Sequence, residues 1–122
     1  MSRTRALGAE GEARAARHLE EGGYTILARN ARADGVEIDL VARRGDTVVF
    51  VEVKTRRSHA HGAPEEAVDG RKRQRLVRGA AAWLRASGRT ARRVRFDVVV
   101  CERDAAGAWR VRHLEGAFDA GE

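Results

Sequence analysis

The chain has 122 residues, 43% apolar and 34% charged, with a formal net charge of +6 and a pI near 10.8. That length suits one compact domain and is too short for two separate cores, so a single domain over 1–122 is expected, with flexible ends at 1–5 and 115–122. Cys101 stands alone, which excludes an intramolecular disulfide or a cysteine-cluster metal site. The basic start has no apolar h-region after it and no apolar run reaches membrane-spanning length, so a cytoplasmic location without membrane association is expected.

A basic balance favours a polyanionic partner such as nucleic acid. Its weight is reduced by the kind of cation used. Of the 24 basic residues only Lys54 and Lys72 are lysine, and a general drift toward Arg, Ala and Gly gives the same excess. The same skew makes each lysine informative, because an ammonium is a compact charge that can give up a proton and a guanidinium is not.

The first predicted element is a helix over 6–21, stopped by Gly22-Gly23. Glu10, Arg14, Arg17 and Glu21 share one solvated face, while Glu12 falls with Gly8, Ala9, Ala16 and Leu19 on the packing side. Glu12 is thus either a boundary glutamate with its head in solvent or a site residue. Tyr24 to Arg29 predicts a strand and Asn30 to Gly35 a polar turn. Glu37 to Ala42 alternates, breaks at Arg43-Arg-Gly-Asp46, and resumes as V-V-F-V-E-V-K-T-R over 48–56, which reads as a hairpin.

Parity constrains that hairpin. Ile38 and Leu40 share a face with Val49, Val51 and Val53 only if opposed residue numbers sum to an odd value. Glu37, Asp39, Glu52 and Lys54 then share the other face. A turn centred between Arg44 and Gly45 would set Glu37 opposite Glu52, and like charges so placed destabilise a sheet unless a cation lies between them. Three carboxylates and a lysine on one face suggest a divalent metal site. The alternative is an exposed polar face, against which Val48 and Phe50 on that same face argue.

Thr55 to Gly62 is a polar loop whose His59 and His61 read as loop histidines rather than a metal pair. Pro64 can open a helical turn through Val68, and Asp69 offers an N-cap for a helix over 71–86 that ends at Gly88. Leu76, Val77, Ala80, Trp83 and Leu84 form its apolar stripe, headed by Lys72. Arg71, Arg75, Arg78 and Arg85 form a basic one, solvated or in contact with phosphate. Strands follow at Arg95–Val100, carrying Asp97, and at Trp109–Leu114, joined across Arg103 to Gly107. Trp83 and Trp109 read as packing residues, since 5% aromatic content does not furnish a base-stacking groove.

A helix with an inward Glu, strands bearing Asp and E-x-K, a basic helix and further strands resemble the PD-(D/E)XK, or restriction-endonuclease-like, superfamily. Closer still is a resemblance to the bacterial YraN family, itself similar to archaeal Holliday junction resolvases. It is carried by Gly11-Glu12, Asn30-x-Arg32, Glu37-Ile-Asp-Leu40, Phe50-Val-Glu-Val-Lys-Thr-Arg56, Gly62-x-Pro64-Glu65-x-Ala67-Val68 and Lys72. Three positions depart from the pattern: Val36 replaces a glycine, Ala31 a common tryptophan, and Ile38 the proline before Asp39.

The resemblance implies an α/β fold with a restriction-endonuclease-like αβββαβ core, a mixed central sheet flanked by helices. It also implies Mg2+ or Mn2+ held by Asp39, Glu52, Glu12 and the backbone carbonyl of Val53, with Glu37 auxiliary. Catalysis would fall to Lys54, Glu52 and Asp39, with Lys54 positioning or deprotonating water for phosphodiester hydrolysis. Arg56, Lys72, Gln74, Arg71 and Arg75 would contact the nucleic acid, with DNA the first candidate and a homodimer one arrangement. A non-catalytic nucleic-acid-binding protein of the same fold is the competing expectation, and a metal-stabilised interaction protein a third.

Overall fold

The computed structural model describes residues 3–57 and 69–118. Among these residues seven elements run in the order α1 (Arg3–Glu21), β1 (Thr25–Ala33), β2 (Val36–Arg44), β3 (Thr47–Arg57), α2 (Gly70–Ser87), β4 (Arg93–Arg103) and β5 (Trp109–Phe118). The strands form one five-stranded sheet in the order β1-β2-β3-β4-β5. Only β3 and β4 pair parallel, and the long connection this requires is where α2 lies. This is the expected α/β architecture, a mixed sheet with a helix on each face.

Both faces are covered, so the central strands are buried on two sides and read as near-continuous apolar runs. On one face Ala15, Ala16 and Leu19 of α1 pack on Leu40, Val49, Val51 and Val99. On the other, Leu76 and Ala80 of α2 pack on Ile38, Phe50, Val98 and Val100. Trp83 meets Phe50 edge-on at 5.8 Å, as a packing residue.

Glycine sets how closely each helix approaches. A Cβ on Gly11 would stand 2.1 Å from Thr55 Oγ1, and one on Gly79 would stand 2.9 Å from Val36. The bulk of Val36 is therefore accommodated by Gly79 across the helix–sheet gap. Helix α2 is capped as its sequence predicts: Asp69 accepts from the Lys72 N–H at 2.9 Å, and Gly88 closes it at φ 67°.

Some boundaries differ from expectation. Strand β1 runs to Ala33, so the turn expected over 30–35 shrinks to Asp34-Gly35, both at positive φ. Helix α1 begins at Arg3, and β5 continues to Phe118, whose buried ring stacks on Phe96 at 4.8 Å. Those stretches of the ends expected to be flexible are helix and strand. His59, His61 and the Pro64–Val68 turn lie outside the described residues.

The hairpin keeps the expected parity and shifts in register. Arg44 pairs with Thr47 around Gly45-Asp46, and Leu40 with Val51, so Glu37 does not oppose Glu52. A second difference is larger. Ile38 and Val41, three residues apart, both enter the α2-side cluster, while Leu40 enters the α1-side cluster. The strand exchanges faces at Asp39. The pairs Arg29↔Leu40 and Ala31↔Ile38 set Asn30 opposite that point, and Asn30 has φ 49°, a left-handed backbone that breaks the two-residue alternation. Glu37, lying between buried Val36 and Ile38, consequently faces the α1 side, not the face of Glu52.

Candidate functional site

Pairing between β2 and β3 stops at Leu40↔Val51, whereas β2 stays paired with β1 to Val36 and β3 with β4 to Arg57. The sheet forks there. A cavity of about 350 Å3 opens in the fork, lined by Glu12 of α1, Asp39 of β2, Glu52, Val53 and Lys54 of β3, and Lys72 of α2. Beyond the last paired position, the Val53 N–H donates to Asp39 Oδ2 at 2.8 Å. A strand residue points its N–H and C=O to the same side, so the Val53 carbonyl is also turned toward the fork.

Carboxylates crowd this notch. Burial pushes the Asp39 carboxyl up to about 7; Glu52 adds to that, the Val53 N–H opposes it, and Glu12 and Glu37 raise it further. Glu12 is raised by burial, then by Glu37, against a hydrogen bond from Asn30, with Glu52 adding a smaller push. The Glu52 carboxylate forms an ion pair with the Lys72 ammonium. Lys54 is exposed at the mouth and forms no ion pair among the described residues. Glu37 lies beside the cavity, with Arg32 at 3.5 Å, and acts on it through its charge.

The structure thus gathers Asp39, Glu52, Lys54, Glu12 and Val53 in one place. Lys72, expected to contact nucleic acid, forms an ion pair with Glu52. Arg56 pairs with Glu102 at 3.1 Å, both side chains largely buried. Arg71, Gln74 and Arg75 are exposed on α2, outside the cavity lining. Sequence reasoning placed Asn30 in a polar turn and in the Asn30-x-Arg32 stretch but gave it no role at the site, where it both turns the strand and reaches Glu12. Its signal is an Asn where β-propensity is low, which reads equally as turn chemistry.

The oxygen donors suit a hard divalent cation. Their arrangement does not yet form a ligand set: Glu52 is held by Lys72, one Asp39 oxygen by Val53, and among the described residues no three His, Cys, Asp or Glu side chains are placed to hold a metal ion.

A second buried carboxylate, Asp97, belongs to the framework. Arg95 donates to both its oxygens at 2.8 Å, the Gly116 N–H donates at 2.9 Å, and His113 Nε2 lies 2.6 Å away. Despite burial, the bonds from His113 and Arg95 hold its carboxyl below the usual range.

A mixed sheet between two helices, with carboxylates and lysines at the fork of two strands, defines a protein of the restriction-endonuclease-like α/β class. Within it, the chain belongs to the uncharacterised protein family UPF0102, whose family model matches residues 11–101. The UPF0102 protein of Beutenbergia cavernae is 54% identical over 91% of this chain and 94% of its own length. That of Rhodococcus jostii is 48% identical over 97% of this chain and its own full length, and that of Nitratidesulfovibrio vulgaris 44% identical over 96% and 87%. Among solved structures, Pyrococcus furiosus SfsA in complex with Ca2+ is similar with a TM-score of 0.45 at 17% identity, covering 92% of this chain and 63% of that one, too distant to carry an argument. Among the described residues no helix is long and apolar enough to cross a membrane.

Proposed function

We propose that this protein binds nucleic acid across the notch without cutting it, as a non-catalytic member of the nuclease-like class. The observation that carries this reading is the Lys72–Glu52 ion pair. It satisfies the carboxylate two residues from Lys54 and leaves the Lys54 ammonium available to a phosphate at the mouth. Arg71 and Arg75, exposed on α2 and without ion pairs among the described residues, extend the cationic surface. Phosphate contact by such groups releases condensed counterions, which gives affinity with little dependence on base sequence. DNA is the partner to test first, and a homodimer would present two notches to two strands.

One observation favours a second reading, metal-dependent phosphodiester hydrolysis: the elevated Asp39 carboxyl, whose charge burial and three neighbouring carboxylates disfavour. Asp39, Glu52, Glu12 and the Val53 carbonyl would hold Mg2+ or Mn2+ once Lys72 released Glu52, with Glu37 as an auxiliary charge. Bound there, the ion would supply an acidified water and neutralise charge on the phosphate. Lys54 would orient that water or take its proton.

Branched, duplex and single-stranded DNA, and RNA, incubated with Mg2+ or Mn2+ separate the two readings. Binding without new products, weakened in Lys54→Ala, is expected. Metal-dependent cleavage abolished in both Glu52→Ala and Lys54→Ala would establish the second reading, and failure to bind any of these substrates would overturn both.

A further inference from the structure

Beside the notch lies a larger cavity of about 510 Å3, with Leu7 lining both. Among the described residues its walls are Ala6, Leu7 and Glu10 of α1 and the turn between β4 and β5, and its cations are Arg57 and Arg103. Val53 and Cys101 lie in the α1-side cluster, and the two-residue period of a strand carries Arg57 and Arg103 to that same side.

The parallel register sets Arg57 directly beside Arg103. The preceding row, facing the other way, pairs Arg56 with Glu102, and Glu102 lies 3.1 Å from Arg56 and 3.7 Å from Arg112. There, two cations share an anion. On the cavity side two cations meet with none: neither Arg57 nor Arg103 forms an ion pair among the described residues. Among the described residues the acids in the wall have other partners, Asp104 through one of its oxygens. Glu10 takes Arg14 at 3.2 Å, and Asp104 accepts from the Ala106 and Ala108 N–H groups, each at 2.9 Å. The Arg103 side chain lies against Gly107, where an added Cβ would stand 3.6 Å from Nη2. Like charges placed side by side disfavour a sheet unless an anion joins them, and guanidinium forks match the oxygens of phosphate.

We propose that this cavity is a phosphate-binding subsite, in which Arg57 and Arg103 together hold a phosphate of a nucleic-acid strand that continues into the notch. The identity of the strand rests on the nucleic-acid reading above; the phosphate chemistry of the pocket does not.

Two measurements separate these. In the first, fluorescence anisotropy of a labelled DNA duplex is followed over a salt series for the wild type, for Arg57→Gln/Arg103→Gln, and for Arg92→Gln/Arg93→Gln. The last pair removes the same charge beside and at the opposite end of β4. The pocket variant is expected to bind about tenfold more weakly, with a log–log salt slope smaller by about 2, and the control to stay within about twofold. In the second, inorganic phosphate is titrated into the 15N-labelled wild type, and saturable shifts are expected at the side-chain Nε–H signals of Arg57 and Arg103. These shifts without duplex binding would remove the nucleic-acid reading and keep the pocket. Duplex binding equal in the two variants, or unmoved Arg57 and Arg103 signals, would overturn the subsite, and the titration decides the matter if the variant fails to fold.

Discussion

Asp39 and Val53 are joined across the fork: Asp39 Oδ2 accepts from the Val53 N–H at 2.8 Å, past the point where the backbones of β2 and β3 cease to pair. A side chain there replaces a ladder partner. The same bond fixes a carboxylate among Glu12, Glu37 and Glu52, so the local structure holds the charge crowding in place.

That crowding predicts a stability change with pH. The Asp39 carboxyl is raised from 3.8 to about 7, so the folded protein binds this proton more tightly than the unfolded chain. Its contribution to stability is fully present below the unfolded value and is lost as pH rises toward and through about 7. Asp39→Asn keeps an acceptor for Val53 and removes the charge. Urea unfolding is expected to find the variant more stable than wild type by on the order of 2 kcal/mol at pH near 8, and nearly equal at pH near 4.

Lys72→Met removes the cation from Glu52 and keeps most of the side-chain volume. The Lys72 side chain is 43% exposed and that of Glu52 13%, so solvent screens the pair. A loss of about 1 kcal/mol at neutral pH is expected by chemical denaturation. With Glu52 released, Mn2+ is expected to raise the melting temperature more in Lys72→Met than in wild type, read by differential scanning fluorimetry.

Asp97 sets the acid limit. Its carboxyl is held below the usual range by His113 and Arg95, so its contribution is present above the unfolded value and lost as pH falls through the lower, folded one. Asp97→Asn leaves largely buried His113 without its anion and Arg95 with only the more distant Glu115, at 3.8 Å. A loss of about 3 kcal/mol at pH near 7 is expected, with a flatter acid limb in the pH–stability curve.

Gly11→Ala drives a methyl to 2.1 Å from Thr55 Oγ1, at the crossing of α1 over β3 that brings Glu12 to the notch. A loss of about 1–3 kcal/mol is expected. Thr55→Ala removes the two nearest atoms, so the double variant is expected to recover part of that loss in a double-mutant cycle.

The sequence made legible those features that depend on periodicity alone: the apolar runs of β3 and β4, the inward side of α1 carrying Glu12, the capped α2 headed by Lys72, and the odd-sum parity of the hairpin. The exchange of faces at Asp39 was not legible, because it lies opposite a left-handed backbone at Asn30 in the neighbouring strand, while a parity argument assumes unbroken alternation. The pairings of Lys72 with Glu52 and of Arg56 with Glu102 were hidden for a related reason. Each joins residues far apart in the chain, and only packing determines which opposite charge a long side chain reaches.

Contact between the notch and nucleic-acid phosphates is tested most directly by anisotropy of labelled branched and duplex DNA with the wild type beside Lys54→Ala/Arg71→Ala/Arg75→Ala, between about 50 and about 200 mM salt. Steeply salt-dependent binding by the wild type and a slope smaller by about 3 in the triple variant are expected. Equal affinity and slope in the two proteins would contradict it.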